Sequence, residues 1–230
     1  TIAPQAGTPA FNNSGTGTRT LNMGSGTWTL SYAQITITTI WNITDSTNLT
    51  LNAQTSTVKI TGSGTGQITF AGGGKTYNNL WFARGTVTQN SIVTGSNTFN
   101  DFKDTGTVAH SLIFTAGTTQ TVSTFTVSGT AGNVITINSD TTATHALVKT
   151  GGGTISSDYL NIQHSVATPA STWYAGTHST DNQGVATAGS GWTFTAPPAG
   201  GATASPPRVI RLFEGFKIKL ISGRVIINQK

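Results

Sequence analysis

The chain has 230 residues, twelve basic and seven acidic side chains, and no cysteine, so disulfides and thiolate metal sites are excluded. Charged residues make up 8% of it, against about a quarter in an ordinary domain, and the net charge of +5 lies wholly in residues 208–230. Residues 1–207 hold six basic and six acidic side chains, which argues against a nucleic-acid-binding body.

Threonine fills 46 positions and glycine 28. With valine and isoleucine, threonine stiffens χ1 and suits pleated surfaces, so the composition predicts strands; helix-forming runs are missing. No stretch of about 18 apolar residues predicts a transmembrane helix. The first residues, TIAPQAGTPAF, lack the basic-then-apolar layout of a signal peptide. Thr1 is what would follow a removed initiator Met, giving cytoplasmic synthesis without export; a processed secreted chain would read the same. Residues 1–14 are expected to form an N-terminal arm or cap.

From residue 15 the texture is one of short alternating strands. TWTL, ITIT, LTLN, TVKIT and QITF each repeat every second residue. Then a motif recurs: GGGKTYNNLWF (72–82), GSNTFNDFK (95–103) and TVSTF from Thr121. Thr76, Thr98 and Thr121 are 22 and 23 residues apart, and a looser copy, TISSDYL, begins at Thr154 after an extra segment, NVITINSDTTATHALVK. Such a period predicts a β-solenoid with about three short strands per coil. Tyr77 with Leu80, Phe99 with Phe102, Val122 with Phe125 and Ile155 with Leu160 are expected to point inward. Like residues then stack about 4.8 Å apart, with Tyr77, Phe99 and Phe125 in a column.

Chemistry-bearing residues are sparse. Asp101 and Asp104, the nearest carboxylate pair, read as a coil corner in FNDFKDTG. His110, His145, His164 and His178 lack metal-ligand spacing. The glycine triplets 72–74 and 151–153 lack the Lys-Ser/Thr ending of a phosphate loop and read as turns. STWYAGTHSTDNQG (171–184) is the most loop-like cluster. There Trp173, Tyr174, His178, Asp181 and Asn182 could contact a glycan or another ligand. Alternatively Trp173 and Tyr174, with Trp192 and Phe194, close the solenoid's open end, where core would otherwise be exposed.

The solenoid is expected over 15–195, followed by a Pro/Gly linker at 196–207. The last segment, 208–230, is a basic amphipathic β-hairpin turning at Ser222-Gly223. Phe216, Ile218 and Leu220 alternate with Lys217 and Lys219. A lone hairpin is marginal in water, so Arg208, Arg211, Phe213, Phe216, Lys217, Ile218, Lys219, Leu220 and Arg224 form a candidate assembly or docking segment.

The quoted repeats, with AGTTQTVSTFTVSGTAGNVITINSD, STWYAGTHSTDN and GWTF (191–194), resemble Thr/Gly/Asn-rich β-helical structural proteins of bacteriophage virions, over about residues 57–195. The resemblance implies a right-handed parallel β-helix, often trimeric, displayed on a tail fibre, tailspike or capsid. Together these readings give an all-β chain: a right-handed parallel β-helix with a C-terminal β-hairpin. The expected function is that of a non-enzymatic, surface-exposed virion subunit. It would be a homotrimer made in the host cytoplasm, contacting other virion proteins and host glycans, with no nucleic acid, membrane insertion, metal or cofactor. The alternatives are a polysaccharide-degrading β-helix enzyme and a secreted bacterial adhesin at the cell surface.

Overall fold

A computed structural model describes residues 9–13, 15–32, 38–182, 190–198, 216–221 and 224–229, the last two ranges through their backbone alone. Arg208, Arg211, Phe213 and Ser222-Gly223 lie outside the described residues, as do residues 1–8 of the expected arm and 199–207 of the expected linker. The chain divides into two compact units, Thr1–Pro197 and Pro198–Lys230.

The first unit is a β-solenoid of about six turns, and its described residues contain no helix. Each turn passes through two principal parallel sheets. The long sheet stacks eight strands, beginning at Phe11–Asn12, Thr38–Asn42 and Ile68–Ala71 and ending at Leu160–Ile162 and Thr180–Asp181. The bent sheet stacks seven: Thr27–Tyr32, Thr57–Gly62, Thr76–Phe82, Thr98–Asp104, Thr119–Thr126, His145–Lys149 and Ser165–Thr168. Among the described residues, strands of a third side are found near the ends. Arg19–Asn22 pairs with Leu49–Asn52 at one end, and Ile155–Ser156, Trp173–Tyr174 and Trp192–Thr193 form a short sheet at the other.

The expected register holds through the central coils. Thr76 lies opposite Thr98, and Thr98 opposite Thr121. The motif itself explains how these coils manage with two strands where three were expected. In Thr76–Phe82, Tyr77, Leu80 and Phe82 are buried, while Asn78 and Asn79 both face outward. Two adjacent outward residues break strict alternation, so the strand bends there and covers two sides of the coil. Asp101 sits at the same bend one coil on, whereas Asp104 ends its strand and is buried. Within FNDFKDTG, residues 99–104 therefore belong to a bent strand whose bend at Asp101 is the expected corner, while Asp104 lies beyond it.

Two further expectations are corrected. TISSDYL does not continue the motif: Thr121 lies opposite Val148, in the segment read as extra, and Leu160 stacks beneath Ile135 in the long sheet. The supposed insertion supplies a strand to each principal sheet, Ile135–Ser139 and His145–Lys149. The aromatic residues also form two columns instead of one. Tyr77 stacks on Phe99 (5.7 Å, 22°) above Val122, and Phe102 stacks on Phe125 (5.3 Å, 19°). Phe99 meets Phe102 edge-on at 5.7 Å and joins the columns. Burial of each such ring removes large apolar area from water, and the ring pairs add to it.

Glycines sit where neighbouring coils touch. Gly73 has φ +64°, and a Cβ there would lie 2.1 Å from the carbonyl oxygen of Ile43, in the preceding coil. Tyr77 closes the same turn: its hydroxyl accepts from Trp41 Nε1 (3.0 Å) and donates to Gly72 O (2.8 Å). At the N-terminal end Phe11 stacks on Trp41 at 4.1 Å, and Phe11–Asn12 pairs with Trp41–Asn42, so the long sheet begins inside the segment expected to be an arm.

In the second unit, Phe216–Ile221 pairs antiparallel with Arg224–Gln229, and Ile221 lies opposite Arg224. This is the expected hairpin. Phe216, Ile218 and Leu220 occupy register positions that alternate with Lys217 and Lys219.

Candidate functional site

The loop-like cluster divides into a plug and a scaffold. Trp173 is fully buried: it meets Phe125 at 5.5 Å and Trp192 at 5.2 Å, and its Nε1 donates to Thr168 O. Tyr174 is buried beside it, so neither ring offers a face to a ligand. His178 is exposed, but its Nδ1 lies 2.8 Å from Asp158 Oδ2 and its ring stacks on Tyr159 at 4.6 Å. Desolvation pushes the Asp158 carboxyl up. Hydrogen bonds from the His178 ring and amide and from the Tyr159 amide outweigh that and hold it below the usual carboxylate range. Asn182 donates to Asn161 Oδ1 in the adjacent coil, and Asp181 pairs opposite Ile162. The five residues share one end of the solenoid, and the two large rings among them complete its core.

Two histidines face inward in ways their spacing did not reveal. His110 Nδ1 lies 2.8 Å from Val108 O and its Nε2 3.1 Å from Asp104 Oδ2. With acceptors on both nitrogens, the imidazolium fits this place best. Desolvation lowers the His110 pKa, but the bond to Asp104, that residue's charge and the bond to Val108 outweigh it, so the net shift is upward. His145 is the opposite case. Its Nδ1 lies 2.8 Å from Ser139 Oγ, which itself donates to His164 O, so Nδ1 carries the proton. Nε2 is buried without a partner, and the ring packs on Phe114 at 4.7 Å.

Most cations are spent on the backbone. Arg19 donates to the carbonyls of Gly17, Asp45 and Thr47; Lys75 to those of Ser46 and Leu49. Arg84 donates to Gly66, Gln89 and Asn90, beneath a groove of about 410 Å³ between residues 62–65 and 83–89. Lys149, inward on its strand, donates to the carbonyls of Thr150 and Gly152 and holds the 151–153 triplet, which bends as expected. None of these groups was evident as a carbonyl cap from sequence.

The outer face of the bent sheet carries a different arrangement. Lys59, Trp81 and Lys103 occupy one register position on three successive coils. The Lys59 ammonium lies 4.0 Å from the Trp81 ring centroid and that of Lys103 4.8 Å from it. The indole is half-buried, and its Nε1 donates to Thr105 Oγ1 at 2.8 Å. Beside this row run Thr57, Asn79, Asp101 and Thr124, with Thr124 donating to Asp101 Oδ1. The repeat contained a signal for this site: Trp81 and Lys103 each stand five residues after the motif threonine. Lys59 joins them only through the register of Thr57 against Asn79.

Among the described residues no group of three His, Asp or Glu side chains is placed to hold a metal. No protein-family model matches the chain, and neither the curated proteins nor the solved structures searched gave a match.

Proposed function

We propose that the chain is a non-enzymatic structural subunit of a phage virion, a fibre, spike or decoration protein, whose solenoid is presented outward and touches host-surface glycans. The observation that supports this best is how the polar side chains are used. Carboxylates, imidazoles and most cations bond to the coil itself or the next one, as Asp101 does with Thr124 and Asp158 with His178. That is the chemistry of a stiff spacer whose surface, largely threonine, asparagine and serine, meets solvent with little charge. The virion setting rests on the resemblance of the repeats to phage β-helical proteins, and a homotrimer is the assembly that resemblance implies. The basic hairpin is the attachment or oligomerisation segment, since two alternating strands leave edges suited to strand addition.

An antibody against the solenoid should label the outside of intact particles made by cells expressing the chain with its genomic neighbours. Label confined to the bacterial envelope would instead favour an adhesin. Release of reducing ends from a polysaccharide by the purified chain would favour a carbohydrate-active enzyme.

A further inference from the structure

We propose that the outward face centred on Trp81 binds a carboxylate-bearing, extended glycan, with Lys59 and Lys103 taking two of its anionic groups and the indole between them holding both ammoniums in place. The proposal rests on the reading that the solenoid contacts glycans and names the class it would prefer.

The first argument comes from the distribution of cations. Six basic side chains belong to the solenoid. Arg19 through its two Nη atoms, and Lys75, Arg84 and Lys149, donate to backbone carbonyls, and the remaining Arg19 Nε is buried. Lys59 and Lys103 are held by the indole instead. An ammonium resting on a half-exposed ring keeps donors available to an incoming anion, whereas one buried under carbonyls does not. Of the solenoid's six basic side chains, the two whose ammoniums are left to meet a ligand thus flank an outward tryptophan.

Geometry supplies the second argument. Lys59 and Lys103 are two coil steps apart in the same register, so their backbones stand roughly 9.6 Å apart at the usual strand spacing. A polymer lying along the solenoid axis meets a cation, an aromatic ring and a cation in turn. Contact with the ring limits the freedom of both lysines before binding, which lowers the ordering cost. The bond from Trp81 Nε1 to Thr105 fixes the indole likewise. A tryptophan with one wet edge is a frequent anchor at recognition surfaces.

The neighbouring row selects the ligand class. Thr57, Asn79 and Thr124 are neutral and already joined along the row, Asn79 Nδ2 donating to Thr57 Oγ1 and Thr124 to Asp101, so the row offers sugar hydroxyls a neutral polar border. Asp101 is the acid on this face and already accepts from Thr124, so the local balance of Lys59, Lys103 and Asp101 is modestly positive. A single-stranded nucleic acid would require a continuous basic groove with several stacking rings; a neutral glycan would leave the two lysines unused.

The test uses the full chain and calorimetric titration with oligogalacturonate, with dextran and poly(dT) as comparison ligands, at about 20 and 150 mM salt. Oligogalacturonate should bind, more weakly at the higher salt, and dextran should not. The double variant Lys59→Gln/Lys103→Gln should weaken binding about tenfold, the loss expected from two exposed charge contacts. Trp81→Ala should weaken it comparably at an unchanged unfolding temperature; if that temperature falls, Trp81→Phe, which keeps a ring, should retain most of the affinity. Lys217→Gln/Lys219→Gln controls for the basic hairpin and should leave the difference between wild type and the Lys59/Lys103 variant intact. The inference is overturned by no binding to oligogalacturonate, by loss only in the hairpin variant, or by tighter binding of poly(dT) through Lys59 and Lys103. Binding of a neutral host glycan that ignores the Lys59/Lys103 variant overturns it too, yet leaves the broader reading standing. Absence of the chain from particle surfaces defeats the broader reading alone.

Discussion

Replacing His145 with leucine should remove one specific component of the protein's acid sensitivity. His145 is buried in the coil that follows Phe125, with Nδ1–H donating to Ser139 and Nε2 facing no partner. Protonation would add a charge and an unsatisfied N–H to that interior. Burial, and after it the nearby His164, pull the His145 pKa down to about 3, while Asp140 opposes this weakly. The sign follows from linkage: below pH 6.5 the unfolded chain takes up a proton here that the folded chain refuses until about pH 3. Stability from this residue is therefore full above pH 6.5 and falls as pH drops towards 3. Over the two units from pH 6.5 to 4.5, before most carboxylates titrate, the loss is about 2–3 kcal/mol at about 1.4 kcal/mol per unit. Urea unfolding followed by tryptophan fluorescence across that range should show a fall in the wild type that exceeds the fall in His145→Leu by this amount. Subtracting the variant's curve cancels the contributions of the other histidines. Parallel curves, or a His145 ring resonance that titrates near pH 6.5, would refute the reasoning.

Phe102→Ala should be among the costliest core substitutions, by about 3–5 kcal/mol, because that ring alone contacts Phe82, Phe99, Phe114 and Phe125 and links both aromatic columns; a lowered thermal midpoint checks it. The Asp104–His110 pair has the opposite pH sign to His145. Its raised histidine pKa contributes stability that is complete below pH 6.5 and lost as pH rises through the folded value. Asp104→Asn should accordingly flatten the fall in stability above pH 6.5, and an unchanged fall would count against the pairing.

How far the fold could be read depended on what each signal measures. Alternation tells which face a residue takes within a straight run, while the apolar positions of the repeated motif correctly put Tyr77, Phe99 and Phe102 inward across its bend. Alternation says nothing about which strand lies next. That follows from coil length, and the motif revealed the length only where coils match, from Thr76 through Thr121. The coil from Thr121 to Val148 takes 27 residues, and the strand it reaches, HALVK, has no aromatic copy of the motif. TISSDYL imitates the motif in type, yet Ile155 joins the short end sheet and Leu160 the long one. The same limit hid the candidate site. Trp81 and Lys103 were visible as equivalent outward positions, but Lys59 reaches them across a coil of different composition. His145 and Lys149 could have been placed inward by alternation with Leu147; their polarity argued the other way, and only the Ser139 hydroxyl and the carbonyls after residue 149 make that orientation tolerable.

Those internal uses of polar groups connect the fold to the proposed recognition. In a parallel stack every outward position is repeated one strand spacing away, so a charge placed outward at random soon meets its own kind. The solenoid avoids this by turning cations inward onto carbonyls, as with Arg84 and Lys149, or down onto loop carbonyls, as with Arg19 and Lys75. Lys59 and Lys103 depart from that rule while still obeying its electrostatic reason: an uncharged ring separates them, and its face attracts both. Trp81 thus permits two like charges in one register column on an otherwise nearly neutral surface. Removing the indole should leave the lysines repelling each other across one intervening strand and free to swing away. Binding and local order are therefore expected to fail together in Trp81→Ala, whereas in Lys59→Gln/Lys103→Gln affinity should fall with the ring still fixed by Thr105.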